Sequence, residues 1–307
     1  MDTWHDVTTV REGRLTEIPE EAVWLANFVS ARTRASYKNS LQAFIAFHGM
    51  KTAEDLRAIT QGHVIAWRDS MIMGGRTEKT IHSKISALSS LFSHLCEKQI
   101  VKTNPTAGVK RPKVTSFFVK ASTLSVGQVR SLLESPDIQT HEGARDSAVL
   151  HILLYTGCRI SEVDSLKVKD FYRDAGYPVL DFMVKGGKRN RVAIHRKLES
   201  VLQLYLSLFG HGTDKESPLM RGLRGGRRPL TSRQLNKIFH KHRKRAGLPE
   251  EVTPHSARAT FITQALENDC PIEAVQRSVG HSRIATTQMY DKRTVKHRGS
   301  ASLAVQY

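Results

Sequence analysis

The chain has 307 residues, and its 47 lysines and arginines outnumber its 29 aspartates and glutamates, which gives a formal net charge of +18 at pH 7. This excess of positive charge favours a nucleic-acid partner, and the length is enough for two hydrophobic cores. The cysteines are too few for a disulfide framework, no apolar stretch is long enough to span a bilayer, and the N-terminal residues lack a signal-peptide core, so we expect a cytoplasmic, nucleoid-associated protein.

Apolar residues at helical spacing mark the region before residue 105. After an N-terminal extension at 1–19, they predict an all-helical bundle at 20–105, whose last helix is entered from a Gly-Gly-Arg-Thr turn at 74–77. The apolar positions are Tyr37, Leu41, Phe44 and Ile45, then Val64, Trp67 and Met71, then Ile81, Ile85, Leu88, Phe92 and Leu95.

A linker is predicted at 106–120, because the stretch 102–116 mixes prolines, a glycine and four lysines or arginines between two periodic regions. Its Lys110 and Arg111 are candidates for contacts with a DNA backbone. Beyond it we expect helices at 124–134, 145–155 and 196–209, with a short sheet near 168–195 and a mostly helical remainder.

Gly157 is a candidate C-cap, so Arg159 is expected at a helix boundary. Ser161 and Asp164 are candidate caps of the next helix, and Glu162 is free to orient a guanidinium. An ordinary surface pair of arginine and glutamate is the alternative. Cys158, beside Arg159, is interpreted as a small core side chain.

A β-hairpin is predicted from strands at 179–184 and 191–194, with a turn at 185–190 whose two glycines permit positive φ. Lys185 and Lys188 flank these glycines. Either lysine could equally be a solvated surface charge.

The stretch 220–245 holds ten lysines and arginines and no acidic residue, which suits contact with phosphates that positions a protein without reading base sequence. Residues 224–229 are interpreted as a mobile basic loop. Thr231 and Ser232 then begin a helix with Leu235, Ile238 and Phe239 on its apolar face, and Gly247 follows as a stop signal. The candidate DNA contacts here are Arg224, Arg227, Arg228, Arg233, Lys237, Lys241, Arg243, Lys244 and Arg245.

Four motifs carry the residues that suit covalent attack on a phosphodiester: T-G-C-R-I-S-E at 156–162, T-P-H-S-A-R at 253–258, V-G-H-S at 279–282 and M-Y at 289–290. A tyrosine oxygen can hold a phosphate covalently, and two guanidinium groups, from Arg159 and Arg258, oppose the charge that builds on the phosphate oxygens. His255 lies three residues before Arg258, so on a helix the two side chains share a face. Taken alone, Tyr290 would be an ordinary amphipathic core tyrosine.

These motifs resemble the tyrosine recombinase, or phage integrase, family, in particular its compact two-domain, Xer-like members. The resemblance implies that Tyr290 is the nucleophile and that Arg159 and Arg258 bind the phosphate. It further implies that His255 is a general acid or base near the attacking oxygen, that His281 hydrogen-bonds the phosphate, and that Lys185, with Lys188 as its rival, protonates the leaving 5′-oxygen.

The resemblance also implies the architecture: a mainly α protein with an N-terminal helical core-binding (SAM-like) domain and an α+β catalytic domain with a small antiparallel sheet at 121–293. Together they would form a C-shaped clamp around double-stranded DNA with inverted half-sites, in a tetrameric synaptic complex. The tail at 294–307 could dock on a neighbouring protomer or fray.

Three functions compete. The favoured one is a site-specific recombinase working through a 3′-phosphotyrosine, in dimer or cointegrate resolution, inversion, or integration and excision of a mobile element. The others are a type IB topoisomerase-like nicking-closing enzyme and a non-catalytic DNA-binding relative. No cofactor or metal is expected, although His240, His242, His255 and His281 permit a metal interpretation; they lack the carboxylates or thiolates that usually accompany such a site.

Overall fold

The computed structural model describes residues 19–113, 122–184, 187–223 and 228–291. The chain divides into two compact units, residues 1–115 and 116–307, and each has its own apolar core. Within the described ranges, the helices are all too short or too polar to cross a membrane.

The described part of the first unit is helical, as predicted. Its helices are Glu20–Ala26 (α1), Ala31–His48 (α2), Ala53–Arg57 (α3), Gln61–Met73 (α4) and Glu78–Glu97 (α5). The apolar positions predicted from periodicity are buried or pack against the core. Thr77, at the end of the predicted Gly-Gly-Arg-Thr entry, caps α5 by accepting a hydrogen bond from the backbone of Thr80, because a threonine oxygen satisfies an N–H that has no partner within the helix.

The segment after α5 packs on this unit. Val109 is buried, the Gln61 side chain donates to the carbonyl of Ala107 at 2.8 Å, and the Arg111 guanidinium donates to Ser86 at 2.7 Å. The predicted linker at 106–120 therefore begins as part of the bundle. Its portion from 114 onward falls outside the described residues.

The second unit combines helices with a small antiparallel sheet in the order β1-β2-β3, as predicted. Its helices are Val126–Glu134 (α6), His141–Thr156 (α7), Ile160–Val163 (α8), Arg196–Phe209 (α9), Ser232–Arg245 (α10), Pro254–Glu267 (α11), Ile272–Val279 (α12) and Ile284–Gln288 (α13), and its strands are Phe171–Asp174 (β1), Tyr177–Val184 (β2) and Lys188–Ala193 (β3). Helix α7 is the centre of the unit, because α6, α9, α10 and α11 all pack against it.

The hairpin turn is shorter than predicted. Lys188 pairs with Val184 and Asn190 pairs with Phe182, so the return strand begins at Lys188 and the turn at 185–190 was predicted too long. Gly187, directly before β3, has a φ of 74°, a left-handed conformation that glycine adopts without steric cost. The mistake arose because polar residues of β3 were counted as turn.

The turn between α7 and α8 depends on Gly157. It caps α7, as predicted, with φ of 61°, and a Cβ there would lie 2.5 Å from the ring of Phe261. Arg159 follows as the N-cap of α8. Ser161 therefore lies inside α8 and the prediction that it caps the helix is wrong, while Asp164 is at the C-terminal end.

Candidate active site

One buried arginine connects three of the sequence motifs. Arg258, on α11, is 3% exposed, and its guanidinium donates to the carbonyl of Gly157 at 2.6 Å and to that of Val279 at 2.7 Å. Gly157 precedes Arg159 by two residues, and Val279 precedes His281 by two. Residues that are far apart along the chain are thereby held around a single guanidinium.

The second arginine is held by a buried carboxylate. One oxygen of Glu162 accepts from the backbone N–H of Arg159 at 2.8 Å, and the other accepts from its guanidinium at 2.7 Å. Glu162 is buried, whereas the side chain of Arg159 is 38% exposed. Glu162 thus orients this guanidinium, as predicted, and leaves part of it open to an anion from solvent.

The site is strongly cationic. Burial, and then the charge of Arg159, lower the pKa of Arg258 to about 10, so the guanidinium of Arg258 still carries its charge at neutral pH. Burial raises the pKa of the neighbouring Cys158 thiol to about 12. Cys158 is therefore a neutral core side chain, as predicted, because thiol reactivity requires the thiolate.

His281 lies close enough to Arg258 and Arg159 for their charges to affect it. It follows Gly280, whose φ of 64° ends α12. Its Nδ1 lies 2.9 Å from the hydroxyl oxygen of Thr287. Burial, then Arg258 and Arg159, lower the pKa of His281 to about 4, so the imidazole is neutral at pH 7.

Tyr290 follows α13 and is half-buried. It packs against a small apolar cluster built from α11 and α12, and its ring is stacked on that of His281, with centroids 6.1 Å apart and planes inclined by 20°. Four of the predicted site residues, Arg159, Arg258, His281 and Tyr290, therefore form one group.

His255 and the hairpin lysines are located differently. His255 is exposed, in the first turn of α11, on the same helix as Arg258. Lys185 lies outside the described residues, and Lys188 is exposed at the start of β3. The hairpin is nevertheless fixed to the site, because the Asn190 side chain donates to the carbonyl of Ser278 at 3.0 Å.

Two residues of the site were missed by sequence reasoning. Thr287 lies six residues after His281, and Asn190 is a polar residue in β3 at the register position opposite buried Phe182. The second could have been noticed, because a polar residue at an inward-facing position of a strand needs a partner. Nothing in the sequence distinguishes Thr287 from Thr286.

The predicted DNA contacts fall into three groups. Arg224 and Arg227 lie outside the described residues. Lys241, Arg243 and Arg111 are engaged within the protein: Lys241 pairs with Glu142 at 2.8 Å and with Asp146, Arg243 donates to the carbonyl of Glu250, and Arg111 donates to Ser86. The remaining candidates are all exposed to solvent: Lys110, Arg228, Arg233, Lys237, Lys244 and Arg245.

Histidine 242 is part of a buried polar network. It is fully buried, with Nε2 2.9 Å from Asp146 and Nδ1 2.9 Å from Ser135. Asp146 also accepts from the Arg145 guanidinium. This network joins α6, α7 and α10. Among the described residues there is no group of three or more His, Cys, Asp or Glu side chains suited to holding a metal ion.

Comparisons with known proteins agree with these features. The model of the phage integrase family matches residues 122–297, and that of the phage integrase N-terminal SAM-like domain matches residues 20–99. A tyrosine recombinase XerC of Pelobacter propionicus is 30% identical over 263 residues, which cover 85% of this chain and 85% of the relative.

Two solved structures share the fold. XerH bound to a palindromic difH substrate in a post-cleavage complex has a TM-score of 0.73 and 22% identity, over 89% of this chain and 79% of that one. A lambda integrase tetramer bound to a Holliday junction has a TM-score of 0.71 and 19% identity, over 92% of this chain and 76% of that one.

Proposed function

This chain belongs to the phage integrase family, and we propose that Tyr290 is the nucleophile with which it cleaves and rejoins DNA strands. The enzyme is a tyrosine-type site-specific recombinase. The observation that carries the assignment of residues is the buried guanidinium of Arg258, which bonds to the turns that lead to Arg159 and His281.

The first chemical step is attack by the Tyr290 oxygen on a DNA phosphorus. The bond from phosphorus to the 5′-oxygen breaks, and a 3′-phosphotyrosyl link forms, which retains the energy of the phosphodiester. Arg159 and Arg258 neutralise the charge on the non-bridging oxygens, and the neutral His281 donates one further hydrogen bond to them. In the second step the freed 5′-hydroxyl of a partner strand attacks, and the tyrosine leaves.

Two protons have to move in the first step. His255 accepts the proton of the Tyr290 hydroxyl, and Lys185 gives a proton to the departing 5′-oxygen. Lys188 is the rival for the second role, since it begins β3 on the opposite side of the same turn. The contact of Asn190 with the Ser278 carbonyl supports this assignment, because it holds the hairpin against the segment that carries His281.

The partner is double-stranded DNA. The exposed basic residues of α10 contact the phosphate backbone, and inverted half-sites recruit two protomers per duplex and four per synapse, the number named for the lambda integrase complex. Such an enzyme acts in the cytoplasm at the nucleoid. That the two units close around DNA as a clamp remains a prediction, which is based on the resemblance to the family.

A covalent trap tests the nucleophile. Nicked duplexes made from inverted repeats flanking the gene are incubated with protein, and adducts that survive detergent are counted. We expect an adduct with the wild type and with Tyr177→Phe, a matched control at an exposed tyrosine of the same unit, and none with Tyr290→Phe. An adduct of equal yield with Tyr290→Phe would reject the assignment.

Strand exchange separates the recombinase from a topoisomerase. With two distinguishable duplexes, the recombinase yields hybrid products, whereas a nicking-closing enzyme reseals only its own strand. The general acid is identified by replacing the 5′-bridging oxygen with sulfur, a leaving group that departs without a proton. We expect this substrate to restore cleavage by Lys185→Ala; restoration of Lys188→Ala alone would assign the role to Lys188.

A further inference from the structure

In the hydrogen bond between His281 and Thr287, the burial of Thr287 determines which side chain donates the proton. Thr287 is fully buried, and in the described part of the chain its hydroxyl has one hydrogen-bond partner, Nδ1 of His281. A buried hydroxyl proton without an acceptor is unfavourable. The hydroxyl therefore donates, and Nδ1 accepts.

A neutral imidazole carries one proton, on one nitrogen or the other. If Nδ1 accepts from Thr287, the proton is on Nε2, and Nε2 becomes a donor. The backbone of His281 is held separately, because its N–H and carbonyl bond to the backbone carbonyl and side-chain amide of Gln276 at 3.1 and 3.0 Å. Thr287 therefore contacts the imidazole ring of His281, whereas Gln276 holds its backbone.

We propose that Thr287 is a positioning residue that fixes His281 in the Nε2–H tautomer, so that its free nitrogen presents a hydrogen-bond donor to the DNA phosphate. This inference rests on the proposed role of His281 in phosphate binding. The opposite tautomer would turn a lone pair toward the phosphate oxygens, and two acceptors repel each other.

The surroundings of His281 keep it neutral, so the tautomer matters. Burial disfavours its protonated form most, the charges of Arg258 on α11 and of Arg159 at the N-cap of α8 disfavour it further, and the Tyr290 ring stacks on it. A protonated histidine would donate from both nitrogens whatever Thr287 did. A neutral one donates from Nε2 only when Nδ1 is an acceptor.

Nitrogen NMR of the full-length protein tests the tautomer without DNA. In histidine-labelled wild type at neutral pH, we expect Nδ1 of His281 to give the signal of an unprotonated nitrogen and Nε2 that of a protonated one, assigned by the loss of both in His281→Gln. Thr287→Val, which keeps the shape and removes the hydroxyl, should give averaged signals from both tautomers. Thr287→Ser should restore the wild-type pattern, and Thr286→Val is the matched control.

Two NMR results would overturn the proposal: a protonated Nδ1 of His281 in the wild type, or an unchanged pattern of signals in Thr287→Val.

A double-mutant cycle tests the consequence for cleavage. We expect Thr287→Val to lower the single-turnover cleavage rate about ten- to a hundredfold, by analogy with the loss of the hydrogen-bond partner of a metal-binding histidine, with recovery in Thr287→Ser. In the His281→Gln background the same change should have no further effect, because the two residues act as one unit. An equal loss in that background would show a merely structural role. If the wild type forms no adduct with DNA, the proposed function fails, while the NMR result still decides the tautomer.

Discussion

The two units of the protein bury different kinds of side chain. In the described part of the first unit, the buried residues are apolar except for Glu21, Ser40 and Thr106. The second unit buries a large polar set: Arg145, Asp146, Ser147, Thr156, Glu162, Asp170, Asp181, Glu199, His211, Ser217, His242, Ser256, Arg258, Thr260, Thr263 and Thr287.

The apolar core of the first unit contributes stability, whereas the buried polar residues of the second unit also position other side chains. An apolar core stabilises a bundle with no need for a particular partner at each position. A buried charge is tolerated only when it is paired and hydrogen-bonded, so each such residue fixes the position of another. In the second unit, the hydrogen bonds that pair the buried side chains of Arg258 and Glu162 also hold the residues proposed to bind the phosphate.

Two matched deletions should affect the units separately. Phe44 is fully buried in the bundle, and Phe44→Ala should lower the free energy of unfolding by about 3–5 kcal/mol through the cavity it leaves. Asp146→Ala should lower that of the second unit by about 3–5 kcal/mol, because it leaves the buried guanidinium of Arg145 without its paired carboxylate and the buried ring of His242 without its hydrogen-bond partner.

Tryptophan fluorescence distinguishes the two effects. All three tryptophans of the chain, Trp4, Trp24 and Trp67, belong to the first unit, whereas circular dichroism reports the helices of both. During denaturation Phe44→Ala should shift the fluorescence transition and Asp146→Ala only the dichroism. A fluorescence transition moved equally by Asp146→Ala would show that the units do not unfold independently.

Replacing the buried guanidinium should abolish most of the chemistry. Arg258→Lys keeps the charge but lacks the planar fork whose separate nitrogens donate to the two carbonyls, so we expect the cleavage rate to fall about 10²–10³-fold, as when a preorganised donor to the transition state is removed. Single-turnover cleavage measures it. Arg277→Lys, at an exposed position of α12, is the control, and a comparable loss there would refute the special role of burial.

The pKa of His281 should respond to its arginine neighbours. Since it is lowered to about 4 in the folded protein, the unfolded chain binds this proton first as pH falls, and the folded state loses stability between about pH 6.5 and 4. Arg159→Gln removes one repelling charge, so the pKa should rise part of the way and this loss should shrink. An NMR titration measures it, with Arg283→Gln as control; an unchanged pKa in Arg159→Gln would exclude repulsion by Arg159 as a cause.

The smallest effect concerns the surface of α10. Lys237 is exposed, whereas Lys241 is paired with Glu142 and Asp146. Lys237→Gln should reduce the slope of log affinity for duplex DNA against log salt by about 1. Lys241→Gln should leave that slope unchanged and lower stability instead. Equal slopes for Lys237→Gln and the wild type would remove Lys237 from the DNA contacts.

Sequence reasoning was strongest where apolar periodicity governs structure. It predicted α2, α4 and α5 of the bundle, the bounds of α9 and the cap at Gly157, because these features depend on neighbours within one or two turns. It failed at the start of β3, where polar residues pair across the hairpin, and at Ser161, because Arg159 and Glu162 cap α8 between them.

The sequence by itself determined which residues are the candidates for the chemistry and in what order they occur, since two arginines, two histidines and a tyrosine within four motifs suit attack on a phosphodiester. Tertiary structure alone decided that Arg258 is buried while Arg159 is half open, that Lys241 is held by Asp146, and that Thr287 rather than Thr286 meets His281. The physical reason is that these contacts depend on side-chain directions set by packing, as between Arg258 and a carbonyl 101 residues away, and no local pattern encodes them.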